Sequence, residues 1–331
     1  MTGLPRPLRL VLRRLAGALP VLALVVVGSF LLLEAAPGDA VDAYLAGIGG
    51  GDAGQMAALR AEWGLDQGPL PRLAAYVTAL LRLDLGWSSA FERPVLEVVL
   101  ERLPNTLLLM GMATALALSL GSLLGIVCGA RPGSVQDRAL SLAAIAVYAT
   151  PGFWLGLVLI VAFSVELRWL PSGGIETTAS GLAGWDRAVD IARHLVLPVL
   201  ALGLVYMALY LRLMRDGMAE LWGQDFVRAA RARGMSGRRL VLRHVARNAL
   251  LPVVTMLGLQ SASMLGGSVV VESVFAIPGL GRLAQESVAR RDTPLLLGVV
   301  LLSAVVVMLV NLVIDLAYAL LDPRVGSGGG G

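Results

Sequence analysis

The chain has 331 residues, of which 57% are hydrophobic and only 15% charged, and its formal net charge is +4. This composition, with a mean hydropathy of +0.77, excludes an ordinary soluble domain and indicates a protein that folds in a lipid bilayer. All 27 basic residues are arginines, which excludes a GxxxxGK[ST] phosphate-binding loop, so any ATP is expected to bind another chain. The single cysteine, Cys128, excludes a disulfide framework and a cysteine zinc cluster.

Six stretches without charged residues are apolar enough to predict transmembrane helices. A helix needs about 20 residues to cross about 30 Å of hydrocarbon, and the fourth stretch, the shortest, is expected to gain length from His194 or Arg212. The sequence therefore predicts an all-α, polytopic membrane protein with six transmembrane helices. The predicted spans are residues 15–33, 103–130, 139–165, 195–211, 248–271 and 293–314.

The first span follows four arginines, which predict its orientation. By the positive-inside rule, residues 1–14 are expected to form a cytoplasmic N-terminus, followed by the transmembrane domain at 15–321. Residues 322–331 are expected to form a disordered cytoplasmic tail. The apolar run is too long for a secretory signal peptide, so an uncleaved anchor is expected. The four arginines are Arg6, Arg9, Arg13 and Arg14.

A long connection, residues 34–102, follows the first span and is expected to form an outer helical cap. Helical apolar spacing recurs at 56–63 and 70–83, separated by glycine and proline. Residues 95–103 mix apolar side chains with charged ones, a pattern that fits an interfacial helix. The same residues also fit a simple extension of the second span, and the sequence leaves both interpretations open.

The connection between the fourth and fifth spans, residues 212–247, combines nine arginines with small and apolar residues. Asp225 favours the start of a short helix, as a cap of free amides and as a negative charge facing the helix dipole. Gly234 favours its end, because glycine accepts a positive φ. The pattern fits a helix that transmits motion to a partner protein, and equally a surface helix held by anionic lipid.

The same loop resembles a known family. Residues 224–236, with the sequence QDFVRAARARGMS, and residues 243–252 are similar to the EAA-type coupling loop of binding-protein-dependent ABC importer permeases. Among these, the dipeptide/oligopeptide permease B-type subunits are the most similar, and the resemblance covers nearly the whole chain. It continues at Gly86, 102–106, 194–198, 271–281 and 321–324.

The resemblance implies a cytoplasmic coupling helix between the fourth and fifth spans, which docks on an ATPase. Arg228 stands where the wider superfamily has a glutamate, so a glutamate salt bridge to the ATPase does not carry over. This arginine, and the long spacing from Gly234 to Pro252, are usual in the peptide branch. The coupling residues implied are Asp225, Phe226, Val227, Arg228, Ala229, Ala230, Arg231, Ala232, Arg233, Gly234 and Met235.

The resemblance also implies partners. The chain is expected to be a transport subunit, not an enzyme, of a bacterial cytoplasmic (inner) membrane, without a cofactor of its own. ATP and Mg would bind two separate ATP-binding cassette subunits, while a second homologous permease would complete the pathway. An extracytoplasmic solute-binding protein would deliver di- or oligopeptides, with nickel chelates and glutathione left open. Membrane lipid is a further partner; nucleic acid is not expected.

The alternative is a gradient-driven secondary transporter or channel without ATPases. Its best candidate residue is Asp315, a carboxylate in the last span, where an ionisable group needs a partner or a function. A proton relay is one interpretation. The other, which we prefer, is structural pairing within the set formed by Asn311 and Asp315, with an arginine at the inner end of the fourth helix as a further candidate partner.

An apolar, turn-rich segment at 275–281 is a candidate outer gate. Plain loop packing fits it nearly as well. The gate candidates are Phe275, Pro278, Gly279 and Gly281. The sequence assigns no substrate-binding residue. It also offers no catalytic pair or metal site, since His194 and His244 fall on opposite sides of the predicted membrane.

Overall fold

The structure, a computed structural model, describes residues 6–35, 41, 50, 52–62 and 66–321. The predicted tail at 322–331 lies outside these residues, as does the start of the predicted N-terminal segment. The described parts of the chain divide into two compact units, Met1–Leu103 with Leu283–Leu312, and Pro104–Arg282 with Val313–Gly331. Each unit is built almost entirely of helices.

The predicted fold class is confirmed. In the described ranges, five helices are long and apolar enough to cross a membrane, and a bent pair of helices would make a sixth span. The long helices are α1 (Arg6–Ala35), α4 (Val95–Ala130), α7 (Gly184–Leu221), α10 (Ala246–Val274) and α12 (Thr293–Leu321). The protein is therefore a multi-pass membrane protein.

The predicted third span, 139–165, is not one straight helix. It consists of α5 (Val135–Ala149) and α6 (Gly152–Leu159), the latter continued by a wider turn over Ile160–Glu166, and the two parts are bent by 103°. The break lies at Thr150, which is extended, and Pro151, which has φ −58°. Proline lacks an amide hydrogen and disfavours a helical residue before it, so the bend follows from the sequence Thr-Pro-Gly.

Two helices are longer than the hydrophobic stretches that predicted them. Helix α4 starts at Val95 and runs through Pro104, so residues 95–103 extend the second span and do not form a separate interfacial helix. Helix α7 is 38 residues long, against the predicted 195–211, and both His194 and Arg212 lie within it. Hydropathy marks the part of a helix that meets lipid, whereas the hydrogen-bonded helix continues into polar surroundings.

The predicted outer cap, 34–102, contains two described helices, α2 (Ala53–Glu62) and α3 (Pro69–Leu81). It also contains a short hairpin that the sequence did not predict, made of β1 (Trp87–Ser88) and β2 (Arg93–Pro94). Buried Asp292 holds this hairpin, because its Oδ2 accepts hydrogen bonds from Ser88 Oγ at 2.6 Å and Ala90 N at 3.0 Å. Strands of two residues carry no readable alternation, which explains the omission.

Within the second unit, α4 and α7 approach closely along a stripe of glycines on α4. The glycines are spaced by four residues at Gly121, Gly125 and Gly129, so they share one face. A Cβ atom at Gly125 would lie 2.5 Å from Met214 Cβ and 2.7 Å from the Leu211 carbonyl oxygen. Small residues at such an interface let two membrane helices pack backbone to backbone.

A buried ion pair joins the first turn of α5 to α7. Asp137, 1% exposed, accepts hydrogen bonds from Arg215 Nε at 2.6 Å and Arg215 Nη2 at 2.9 Å. The same carboxylate accepts from the amide of Gly133 at 2.8 Å, while the Ser134 side chain caps α5 by accepting from the Asp137 amide. This bidentate, charge-assisted contact fixes both the position and the orientation of α5 relative to α7.

The glycine stripe predicts unequal effects of alanine on one helix. We expect Gly125→Ala to lower the free energy of unfolding by about 1–3 kcal/mol, because an added Cβ overpacks a filled interface. At Gly111, also on α4, no neighbouring atom lies within 4 Å of the place that an added Cβ would take, so Gly111→Ala is the matched control. It is expected to be neutral or stabilising by roughly 0.5–1 kcal/mol.

Thermal unfolding of the purified protein in detergent, followed for both variants and the parent chain, measures the difference. Equal shifts for the two alanines would show that the stripe does not hold α4 against α7.

Candidate functional site

Of the predicted coupling residues, 225–232 form a short helix, α8 (Asp225–Ala232), and the remaining three, 233–235, follow its end. Its N-cap is Gln224, whose side chain makes no capping bond, and the Asp225 side chain is 99% exposed. Asp225 is therefore not the cap that the sequence suggested. It is a first-turn carboxylate whose charge opposes the helix dipole, and its Oδ1 lies 3.6 Å from Arg228 Nη1.

Gly234 adopts the positive φ that was predicted for the residue that ends α8, with a value of +76°. The Gly234 amide donates to the Arg231 carbonyl at 2.9 Å, and the Met235 amide donates to the Ala230 carbonyl at 3.3 Å. This pair of bonds is a Schellman motif, which satisfies the last carbonyls of the helix and needs a residue that tolerates positive φ. The chain then turns directly into α9 (Gly237–Leu240).

Helix α8 has one seated face and one open face. Val227 and Ala230 are buried in an apolar cluster that also contains Met218, Leu240 and Val245. The opposite face is exposed, and the Phe226 side chain remains 37% accessible there. The exposed members of the predicted set are Asp225, Phe226, Arg228, Ala229, Arg231, Ala232, Arg233 and Gly234. The helix can thus receive a partner on one side while the other side stays fixed to this chain.

Trp222, in the turn between α7 and α8, joins α8 to the end of α4. Its Nε1 donates a hydrogen bond of 2.7 Å to the carbonyl oxygen of Gly129, in the last turn of α4. The guanidinium carbon of Arg231 lies 5.0 Å from the centre of the Trp222 ring, a cation–π contact. The sequence prediction missed Trp222. The one signal in the sequence was a bulky aromatic residue in a connection of only three residues between two helices.

The Trp222 contact and the Asp137–Arg215 ion pair act at the same end of the second unit. Trp222 connects α8 to α4, and the ion pair connects α5 to the end of α7, the helix that leads into α8. Displacement of α8 would therefore reach three membrane helices through directional contacts and not through a flexible loop.

The predicted gate residues lie in a tightly packed turn after α10. Phe275 is 1% exposed, its carbonyl oxygen accepts from the Gly174 amide at 2.8 Å, and its ring packs beside Gly156. Pro278 and Gly279 form the turn, and Gly281 is already in α11 (Leu280–Ala289). These contacts make the segment a fixed part of the second unit in this structure.

Glu272 anchors that turn and was not among the predicted site residues. It is completely buried and accepts hydrogen bonds from Thr106 Oγ1 at 2.7 Å and from the Arg282 amide at 3.0 Å. Thr106 Oγ1 in turn accepts from the Leu280 amide at 2.8 Å. A side chain at Gly279 would overlap the Glu272 carboxylate, which explains the glycine.

A second contact joins the same two segments, since Asn105 Nδ2 donates to the Pro278 carbonyl at 2.7 Å. Two motifs far apart in the sequence, 102–106 and 271–281, thus meet in space through Asn105, Thr106 and Glu272. A carboxylate followed by a turn rich in glycine and proline was the only sequence signal of this contact.

Asn311 and Asp315 lie four residues apart on α12, and both are partly buried. Each interacts with other residues of the chain. Near the predicted inner end of α7, Arg215 is bound by Asp137 and Asp216. The pairing role of Asn311 and Asp315 stays a prediction.

Comparison with known proteins identifies relatives of this chain. Residues 121–327 match the family described as the binding-protein-dependent transport system inner membrane component. The chain is 37% identical over 317 residues to the oligopeptide transport system permease protein AppB of Bacillus subtilis, covering 95% of this chain and 98% of that protein. It is 39% identical over 320 residues to a Brucella ovis protein named as a peptide permease, covering 96% and 99%.

A solved structure shows the same fold. A chain of the MetNI methionine ABC transporter, in an inward-facing conformation, aligns with a TM-score of 0.54 at 17% identity and covers 68% of this chain and 96% of that chain. The family match over more than half of the chain and the full-length identity to permease proteins lead to one conclusion: this chain belongs to the family of binding-protein-dependent transport system inner membrane components.

Proposed function

We propose that this chain is the membrane-spanning permease subunit of an ATP-driven, binding-protein-dependent importer of di- or oligopeptides. The observation that carries the proposal is α8, a short helix seated on one face and open on the other, in a chain 37–39% identical to proteins named as peptide permeases. A second permease completes the pathway, and two ATP-binding cassette subunits hydrolyse ATP. A solute-binding protein delivers the substrate from outside.

The open face of α8 is the docking surface for the ATPase. Its alanines, Ala229 and Ala232, let a groove approach the helix backbone, and Arg228 and Arg233 supply directional donors for carboxylates and carbonyls. The proposed side of the membrane is supported by charge: the arginines before the first span and in 212–247 favour a cytoplasmic position of α8 and the N-terminus in a bacterial inner membrane.

Closure of the ATPase dimer would move α8, and the contacts of Trp222 and Arg215 pass that movement to α4, α5 and α7. A packed interface switches between discrete arrangements and does not deform smoothly, so rigid contacts at the loop favour concerted motion of the helices. On the outer side, the turn pinned by Glu272 presents a fixed surface near the docking site of the solute-binding protein.

The Trp222 contact predicts a loss of coupling in Trp222→Phe. Phenylalanine keeps an aromatic face for Arg231 but cannot donate to the Gly129 carbonyl. We expect peptide transported per ATP hydrolysed to fall about fivefold, the equivalent of the roughly 1 kcal/mol that a hydrogen bond contributes. Transport and hydrolysis are measured together in proteoliposomes of the full transporter.

Trp185→Phe is the matched control, because Trp185 is 80% exposed and lies at the other end of α7. A transport-to-hydrolysis ratio unchanged by Trp222→Phe would remove Trp222 from the transmission route.

The positive φ of Gly234 predicts that Gly234→Val separates the ATPase from the permease. A β-branched residue in a left-handed conformation is strained by about 1–3 kcal/mol, so the end of α8 should unwind. We expect less ATPase subunit to co-purify and transport to fall. Gly237→Val is the control, because Gly237 lies three residues away without a positive φ and with open space around it. Normal co-purification and transport in Gly234→Val would contradict α8 as the docking helix.

The Glu272 cluster predicts that Thr106→Val loosens the outer turn. Valine has nearly the same shape but cannot donate to Glu272 or accept from the Leu280 amide, so two buried groups lose a partner at about 1–3 kcal/mol each. We expect a lower unfolding temperature and weaker stimulation of ATP hydrolysis by the solute-binding protein.

Thr114→Val on the same helix is the control, because Thr114 Oγ1 makes only a weak contact with Met264 Sδ at 3.3 Å. Stimulation that survives in Thr106→Val, despite the lower unfolding temperature, would confine the Glu272 cluster to a structural role.

A further inference from the structure

Helices α5 and α7 line a partly open cavity of about 430 Å³. Most of its lining side chains are apolar, such as Ile145 and Leu209, and a few polar groups converge on it. A mostly apolar cavity of some 300–1,000 Å³ with a few placed polar groups is the usual form of a small-molecule site. Ionisable residues next to membrane segments also tend to face such cavities and mark the paths of substrates.

The polar groups of the cavity differ in how many of their atoms are already bonded within the chain. Arg215 is bound by buried Asp137, and Ser141 Oγ donates to the same carboxylate at 3.2 Å. Arg212 and Asp216 stand one turn apart on α7 with side chains 76% and 54% exposed. Asp216 Oδ1 also accepts a hydrogen bond from Arg215 Nη1 at 2.9 Å, so one oxygen of this carboxylate is already bonded. The cavity therefore presents one accessible cation, Arg212, and one carboxylate that is half-exposed and bonded through one oxygen, Asp216, beside apolar walls.

The contact between Arg212 and Asp216 is easily opened, whereas the shorter contact between Asp216 and Arg215 can remain in place. Arg212 Nε and Asp216 Oδ2 are 3.9 Å apart, at the outer limit of an ion pair, and exposed pairs of this kind contribute about 0–1 kcal/mol. A ligand with both charges can replace this contact with two better ones. One turn of helix rises about 5.4 Å, and an extended dipeptide spans about 7 Å, so the two exposed side chains must move apart for each to reach one end of the peptide.

We propose that this cavity holds a zwitterionic peptide during its passage, with Arg212 binding the terminal carboxylate and Asp216 the terminal ammonium. The apolar walls receive the side chains without selecting among them. This inference rests on the proposed function and names the recognition chemistry within the same pathway.

Other occupants fit the cavity less well. The described part of the chain has no group of three or more His, Cys, Asp or Glu residues that could hold a metal ion, so a metal chelate would gain no ligand here. An anionic phospholipid could place its phosphate on Arg212 and an acyl chain along the walls. However, the Asp216 carboxylate beside Arg212 repels a phosphate, whereas it attracts a peptide ammonium.

A cysteine probe tests the occupant directly. The single native cysteine, Cys128, is fully buried, so Ile145→Cys places one accessible thiol in the cavity, where Ile145 is 58% exposed. The rate of its reaction with a water-soluble maleimide is measured on the assembled transporter. The additions are dialanine, N-acetyl-dialanine, dialanine amide and phosphatidylglycerol.

We expect dialanine to slow labelling, and its two blocked forms to need about tenfold higher concentration, because each lacks one charge-assisted contact of roughly 1.5 kcal/mol or more. Arg212→Met should weaken protection by dialanine and leave protection by the amide unchanged. Asp216→Asn should likewise weaken protection by dialanine, but leave protection by N-acetyl-dialanine unchanged. Leu250→Cys, exposed on α10, and Arg131→Met, exposed outside the cavity, are the controls.

Equal protection by all three peptides, no protection by dialanine, or protection by phosphatidylglycerol alone would overturn the inference. Measurements of peptide uptake distinguish failure of the cavity site from failure of the proposed function. ATP-driven import of dialanine that is normal in the Arg212→Met and Asp216→Asn variants would refute the cavity site alone. A parent transporter that imports no peptide would refute the proposed function itself.

Discussion

The close approach of α4 and α7 is the constraint on which the second unit depends. Glycines at 121, 125 and 129 leave no room for a side chain against α7, so the two helices must stay in one register. That register places the Gly129 carbonyl within reach of Trp222 and sets the end of α7, with Arg215, opposite Asp137. The seat of α8 is thus determined inside the membrane segments, by packing and not by the loop itself.

Much of this architecture could be predicted from the sequence. Uncharged stretches located the spans because the bilayer selects composition so strongly, and local chemistry located α8 between Asp225 and Gly234. A positive φ at a helix end leaves a signature in a single residue. Pro151 also indicated a break, but hydropathy averaged over a long stretch does not detect a single proline. The prediction of a continuous third span was therefore wrong.

The contacts that join distant segments could not be predicted in the same way. Asp137 with Arg215, Trp222 with Gly129, and Thr106 with Glu272 are separated by 78, 93 and 166 residues. The residues adjacent in sequence to one member of such a pair do not indicate its distant partner, because the pairing depends on how whole helices cross. A charge in an apolar region indicates that a partner exists, as for Asp315, but does not identify it.

The break between α5 and α6 has a mechanical consequence. A continuous helix behaves as a stiff rod, so a tilt at one end swings the other end in the opposite direction. Thr150 and Pro151 interrupt the hydrogen-bonded ladder, so a torque applied to α5 is largely absorbed at the joint instead of turning α6. Helices α5 and α6 can therefore tilt separately about this joint.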